Sequence, residues 1–379
     1  MPDDTDTRCH VCLAPCRNQS GCARCRTPYC SRACQKAAWQ FVHKQICPFV
    51  GGADRRAAEA AAAAEAACKS DVVRGATCYI CLAEGPGLVR GCACRGDAGY
   101  AHVKCLIRAE AEGVAPQPGQ CPTCRQFYHG AVRLAVAWGT WRARSREATG
   151  LHITAAGQLA KALHECKQND DALVLMRCNI KMLEKLVETL RETHAAAGDI
   201  ADRELAVLKD QSNLTNILSS LGKQEEAYSL TRQIFTQFKR LRGLEDYNTL
   251  TTALNLANHL KHQRKYREAR DLLEETVPIM RKVLGSHHCT ISSIVTLADV
   301  MMACECVVPE DITERKPQAV SLETSRAAAK LYDEAYASSR RLFGDDHPET
   351  RDNRWRAEGM RKMFQEQGIS LEPEAPHPA

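Results

Sequence analysis

From about residue 145 the chain carries apolar side chains at helical spacing, with few Gly or Pro breakers before the terminal LEPEAPHPA. That last stretch is poor in apolar residues and is expected to be disordered. Before residue 125 the pattern changes to two cysteine-rich blocks, residues 9–47 and 78–124. Between them, RRAAEAAAAAEAACK (55–69) is rich in the best helix former and lacks Gly and Pro. It predicts a helical linker, roughly 20 Å long at the usual rise per residue.

The helical part repeats itself. NLTNILSSLGKQEEAYSLTRQIFTQFKRLRG (213–243) aligns with NLANHLKHQRKYREARDLLEETVPIMRKVLG (255–285) at an offset of 42. The offset pairs Asn213 with Asn255, Asn216 with Asn258, Lys223 with Lys265, Ala227 with Ala269 and Gly243 with Gly285. A looser copy starts at Gln158. A later one runs from Leu297 to RRLFGDDHPET, interrupted by VVPEDITERKPQ (307–318). Each unit predicts a helix, a tight turn and a second helix whose small Ala permits close packing. Such pairs bury their apolar face only by stacking into a solenoid.

This period, with the GDDHPET phrase, resembles the tetratricopeptide repeats of the kinesin light chain type over about 200 residues. The resemblance implies a curved groove for peptides or a protein surface. Asn213, Asn216, Asn255 and Asn258 share one face of their helices. They are candidates for lining that groove, or equally for hydrogen bonding between helices.

Composition sharpens the N-terminal half. The 379 residues suffice for two or three domains, and sixteen of the 21 cysteines precede residue 125. The start MPDDTDTRC lacks the apolar core of a signal peptide, and no run of apolar residues reaches membrane-spanning length. The expectation is a soluble protein of the cytosol or nucleus, with Cys-x-x-Cys pairs and histidines binding metal rather than forming disulfides. If fourteen cysteines bind four zinc ions as thiolates, the formal charge of +5 falls to about −1. A broad nucleic-acid surface then loses its compositional support, leaving protein partners and no membrane.

In the second block the candidate ligands are Cys78, Cys81, Cys92, Cys94, His102, Cys105, Cys121 and Cys124, enough for two closed tetrahedral zinc sites. The order is shared with a PHD finger, but seven residues precede His102, and Gly119 stands where that finger carries an aromatic. The spacing instead resembles the RING-CH (variant RING) family. That resemblance implies a cross-brace, with Cys78, Cys81, His102 and Cys105 on one zinc and Cys92, Cys94, Cys121 and Cys124 on the other. It also implies ubiquitin ligase activity without a nucleophile, by positioning a ubiquitin-conjugating enzyme. Ile80, Pro122 and Arg125 match the family's docking surface. Each also has a plainer reading, as packing filler, knuckle proline and solvated charge. The Trp often found between ligands six and seven of such domains is missing.

In the first block Cys9, Cys12, Cys22, Cys25, Cys30, Cys34, His43 and Cys47, with YCSRACQKAAW and HKQIC, closely resemble a MYND zinc finger. The resemblance implies Cys9, Cys12, Cys30 and Cys34 on one zinc and Cys22, Cys25, His43 and Cys47 on a second, and binding of short peptides. The gap before His43 is one residue longer than usual. Cys16 reads as a spare thiol and Trp39 as core. Cys68, Cys166, Cys178, Cys289, Cys304 and Cys306 lack partners at ligand spacing and read as small buried residues. Of these, only Cys304 and Cys306, beside the inserted loop, form a pair of further interest.

The expected fold is mainly α: a tetratricopeptide-like α-solenoid preceded by two small cross-braced zinc modules. Its segments are a MYND-type finger (1–50), a helical linker (51–75), a RING-CH finger (76–130), helical repeats (145–367) and a disordered tail (368–379). The expected function is a soluble ubiquitin ligase whose repeats and MYND finger recruit substrate. The alternative is a non-catalytic interaction scaffold.

Overall fold

The computed structural model describes residues 20–70, 75–92, 99–114, 117–145, 151–306, 320–345 and 347–370, together with Cys9, Cys16, Val72 and Cys94. Cys12, the inserted loop 307–318 and the tail from residue 371 lie outside the described residues, as does the side chain of Cys306. The chain divides into two compact units, Met1–Gly222 and Lys223–Ala379.

The first unit opens with a two-residue antiparallel pair, β1 (Ser20–Gly21) and β2 (Pro28–Tyr29). Ser31 then caps α1 (Arg32–Ala38) by accepting from the Cys34 amide at 3.2 Å. A π-helical turn, Trp39–His43, follows and leads into α2 (Lys44–Gly51). A π turn adds one residue to a helix without breaking it. This is how the long Cys34–His43 gap is absorbed, and it corrects the reading of Trp39 as core. Trp39 and Phe41 are 41% and 44% exposed, whereas Val42 and His43 are buried. The extra residue turns the aromatic pair outward.

Next, α3 (Ala53–Cys68) buries Ala57, Ala60, Ala64 and Cys68, a single stripe of one residue per turn. That stripe packs against α5 (Gly130–Arg144), the helix that follows the second block. Arg56 fixes the joint. Its guanidinium lies 5.2 Å from the ring centroids of both Phe49 and Trp138 and donates to Asp171 at 2.9 Å. At the far end the Cys68 thiol sits on the backbone of Arg90, 3.4 Å from its nitrogen and 3.6 Å from its oxygen. Between these helices, β3 (Leu88–Val89) pairs antiparallel with β4 (Ala101–His102), and α4 (Val103–Ala111) follows directly. The unit is completed by α6 (Leu151–Glu165), α7 (Asn169–Glu192) and α8 (Ala197–Ser220), each packed on its predecessor.

Among the described residues the elements of the second unit are α9 (Gln224–Arg242), α10 (Tyr247–His262), α11 (Tyr266–Leu284), α12 (His288–Cys306), α13 (Leu322–Phe343) and α14 (Pro348–Glu366). Consecutive helices pack, around a core that includes Leu260, Leu273, Val277, Ile291 and Ile294. The 42-residue offset is visible in the backbone. Lys223 and Lys265 precede α9 and α11 with the same φ of −82°, and Ala227 and Ala269 are fully buried. Gly243, Gly285 and Gly344 end α9, α11 and α13 at φ of 80°, 57° and 86°, the left-handed closure that glycine adopts without steric cost. The earlier copy, α6 and α7, is looser: α7 runs to 24 residues, against 19 in α9 and α11. Of the tail expected to be disordered from residue 368, Gly368–Ser370 are described, and Arg326 donates to the Ser370 carbonyl at 3.0 and 3.1 Å. Among the described residues no helix is long and apolar enough to cross a membrane.

Candidate metal centres

Three Cys-x-x-Cys stretches fold into the same turn. In each, the residue after the second cysteine takes a left-handed φ: Arg26 (61°), Leu82 (59°) and Arg125 (58°). Its amide donates to the carbonyl of the first cysteine, at 2.7 Å for Cys22, 2.8 Å for Cys78 and 2.9 Å for Cys121. The first cysteine's own amide bonds onward to Thr27, Ala83 and Gln126 at 3.0, 3.0 and 2.8 Å. The result is a tight knuckle with both thiols on one side.

These knuckles bring the candidate ligands into four clusters whose donor atoms lie within 4.8 Å of one another. Cys22 and Cys25 meet His43 and Cys47; Cys78 and Cys81 meet His102 and Cys105; Cys92 and Cys94 meet Cys121 and Cys124. In the fourth, Cys9 meets Cys30 and Cys34, while Cys12 is outside the described residues. Ligand pairs alternate along each block, so the clusters interleave.

The donor spacing fits zinc. A tetrahedral ion with Zn–S near 2.3 Å and Zn–N near 2.05 Å needs S···S edges of about 3.8 Å and S···N edges of about 3.6 Å. The observed edges are 3.8 Å for Cys22–Cys47, 3.6 Å for Cys30–Cys34 and 3.7 Å for Cys94–Cys121. His43 offers Nε2, 3.3 Å from Cys25 Sγ. His102 offers Nδ1, 3.4 and 3.9 Å from Cys81 and Cys105.

Electrostatics point the same way. Burial pushes the Cys78 thiol up, but the backbone N–H groups of Cys81, His102 and Ile80 outweigh it and bring the pKa down to about 6. Its cluster-mate Cys105 is pushed up to about 11, by burial and by Cys81 and Cys78. Burial also raises Cys47, to about 12, with Cys25 adding to the effect. Three thiolates do not share such a space unaided. A dication lets all of them ionise.

Around the second pair of clusters, Ile80 and Pro122 are half-buried on their knuckles and Arg125 is exposed. An aromatic side chain that spacing did not reveal lies beside them. Phe127, 42% exposed, pairs through its backbone with Gln120, and its ring lies against Gly119. Arg133 stacks over that ring at 5.3 Å. Leu82, 77% exposed at the left-handed position of the first knuckle, is a further apolar side chain in solvent.

The four asparagines divide between the units. In the first, Asn213 and Asn216 line a cavity of about 200 Å³ with Arg133, Lys161 and His164. Beside it lies a buried polar network. Asn179 donates to Asp210 at 2.8 Å, Asn213 donates to Asp210 at 3.3 Å, and Lys161 stands 3.7 Å from Asp210. Gly157 sits where a Cβ would come 3.0 Å from Asn179 and 3.2 Å from Asp210, so a side chain there would crowd the network. In the second unit, Asn258 accepts from Thr296 of α12 at 3.3 Å, a bond between neighbouring helices. Asn255 is half-buried on the same helix.

One group was missed in sequence. Cys289, read as an isolated buried thiol, lies with His287 and His288 in a further cluster of potential ligands. The signal was the run His287-His288-Cys289 itself.

Comparison with known proteins gives the following. The MYND finger family model matches residues 9–47, and a tetratricopeptide repeat model matches residues 249–288 and 326–349. The chain therefore combines a MYND finger and other cysteine-rich clusters with tetratricopeptide-like helical repeats. No curated protein matches the chain. Among solved structures it is similar to a Podosopora anserina putative kinesin light chain with nearly identical TPR-like repeats, at 22% identity. That match covers 57% of this chain and 86% of the other, with a TM-score of 0.39. It is also similar to BtubC (BKLC) from P. vanneervenii, at 11% identity, covering 73% of this chain and 97% of the other, TM-score 0.34.

Proposed function

We propose that this chain is a zinc-ordered protein-interaction scaffold. Four zinc ions would be held by Cys9, Cys12, Cys30 and Cys34; by Cys22, Cys25, His43 and Cys47; by Cys78, Cys81, His102 and Cys105; and by Cys92, Cys94, Cys121 and Cys124. The observation that carries this reading is that three of the N-terminal clusters are four-donor sets of Cys and His, beside exposed aromatic and apolar side chains: Trp39, Phe41, Leu82 and Phe127. Closed four-ligand zinc sites build structure rather than activate water. Aromatic surface on a rigid knuckle is what peptide and protein recognition uses. The repeats add a second binding surface, with Asn213, Asn216, Asn255 and Asn258 as candidate contacts. Thiolate ligation would suit a reducing compartment such as the cytosol or nucleus.

A second reading draws on the interleaved clusters of residues 78–124, whose ligand order resembles that of a RING-CH finger. On it, Ile80, Pro122 and Arg125 would dock a ubiquitin-conjugating enzyme, and the chain would be a ubiquitin ligase whose other modules recruit substrate. One assay separates the two. Purified zinc-loaded chain is incubated with ubiquitin, activating enzyme, ATP and a panel of conjugating enzymes. The scaffold reading expects no ubiquitin chains with any carrier. Chains that disappear in Ile80→Ala and Arg125→Ala would replace it with the ligase reading.

A further inference from the structure

The loops that start α10, α12 and α14 share one design. Asp246 caps α10 by accepting from the amides of Asn248 and Thr249, at 2.9 and 3.3 Å. His347 caps α14 through Nδ1, which accepts from the Glu349 amide at 3.3 Å. His287 does the same at α12, accepting from the Cys289 amide at 3.3 Å. The residue three beyond each cap is a buried threonine: Thr249, Thr290 and Thr350. Capping thus accounts for His287. It does not account for the next two residues, which are Tyr247 and Asn248 at α10 and Pro348 and Glu349 at α14, but His288 and Cys289 at α12.

Those two residues converge. Cys289 Sγ lies 3.3 Å from His288 Nε2, close to the S···N edge of a tetrahedral zinc site. The rings of His287 and His288 are 4.2 Å apart between centroids, and the three donor atoms lie within 4.8 Å of one another. Cys289 is 2% exposed, while His288 is exposed and His287 half-buried, so the thiol forms a floor beneath an imidazole open to solvent. Thr251 Oγ1, 3.9 Å from Cys289 Sγ, and the Tyr247 ring, edge-on to His287 at 5.6 Å, wall the site from α10.

We propose that His287, His288 and Cys289 form a fifth metal site, separate from the N-terminal clusters, for a borderline-soft dication such as Zn²⁺. One thiolate and two imidazoles suit such an ion, and a fourth position stays open to water or an exogenous ligand. On binding, the Cys289 S–H bond is exchanged for S–metal and the proton leaves to solvent. His288 and Cys289 are the primary pair. His287 contributes more weakly because its Nδ1 serves the helix cap.

The test uses the full zinc-loaded chain, passed over a mild chelating resin and then titrated with Co²⁺. The expected result is a thiolate-to-cobalt charge-transfer band that saturates at one equivalent. It is expected to vanish in Cys289→Ala and in His288→Ala, whose side chain is exposed and dispensable for folding. In His287→Asn, which retains a capping side chain, the band persists with weaker binding. Unchanged helical circular dichroism shows that the variants are folded. No band in the parent chain, or a band of equal size in folded Cys289→Ala or His288→Ala, would overturn the proposal.

Discussion

The indole nitrogen of Trp141 donates to the carbonyl of Phe49 at 3.1 Å, and Trp141 is completely buried. Phe49 lies in the last turn of α2, where helix carbonyls have no partner within the helix. A side chain that follows the second cysteine block thus closes a helix belonging to the first. With Arg56 between Phe49 and Trp138, this ties the two zinc-type modules into one packed body. Trp141→Phe keeps most of the volume but strands the Phe49 carbonyl, and is expected to cost about 1–3 kcal/mol. Denaturant unfolding followed by regional hydrogen exchange checks this, with loss of protection expected in both α2 and α5.

The π turn predicts an unusual tolerance. Gln40 is exposed within it, and deleting Gln40 restores an ordinary helical turn and the shorter ligand gap. Zinc content is expected to stay unchanged. Deleting Lys44 instead alters the spacing between His43 and Cys47, and one ion is expected to be lost. Atomic absorption on the purified variants distinguishes the outcomes.

Glu110 is half-buried beside the second block. It accepts from the Gly119 amide at 3.1 Å and from Thr140 at 3.3 Å. Burial is the largest influence and raises its pKa despite both bonds and Arg133. A carboxyl raised in the fold gives stability that is complete below its unfolded pKa and lost as pH rises through the folded value. Glu110→Gln retains an acceptor without the charge. It is expected to remove this acid-side gain, while Glu110→Ala destabilises at every pH by about 1–3 kcal/mol. Thermal melts from pH 4 to 8 provide the readout.

In the second unit the sign is opposite. His259 is buried on α10, and burial, with His262 adding to it, lowers its pKa below 6.5. Its contribution is therefore present above 6.5 and lost as pH falls through the depressed folded value. His259→Gln should flatten the decline in melting temperature between pH 7 and 5. An unchanged slope would show that other groups set it.

Much of this was legible in the sequence because it depends on local spacing. The knuckles follow from Cys-x-x-Cys, and the repeat register from Lys223, Ala227 and Gly243 recurring at Lys265, Ala269 and Gly285. What was not legible depends on a change of helix geometry or on distant contacts. Trp39 was misplaced because its direction is set by a π turn. Phe127 covers Gly119 through a knuckle fold that no ligand count describes. His287, His288 and Cys289 are adjacent, and adjacent helical side chains diverge by about 100°. His287 joins the group because it stands outside the helix as its cap, while His288 and Cys289 meet through the ends of their side chains in the first turn, Nε2 to Sγ at 3.3 Å.

The most direct test of the scaffold account is the number of zinc ions that order its N-terminal half. Native mass spectrometry of the purified Cys289→Ala chain, with the α12 site removed, counts them. The account predicts four zinc ions per chain, falling to three in a Cys25→Ser background. Fewer than four in the Cys289→Ala chain would contradict it.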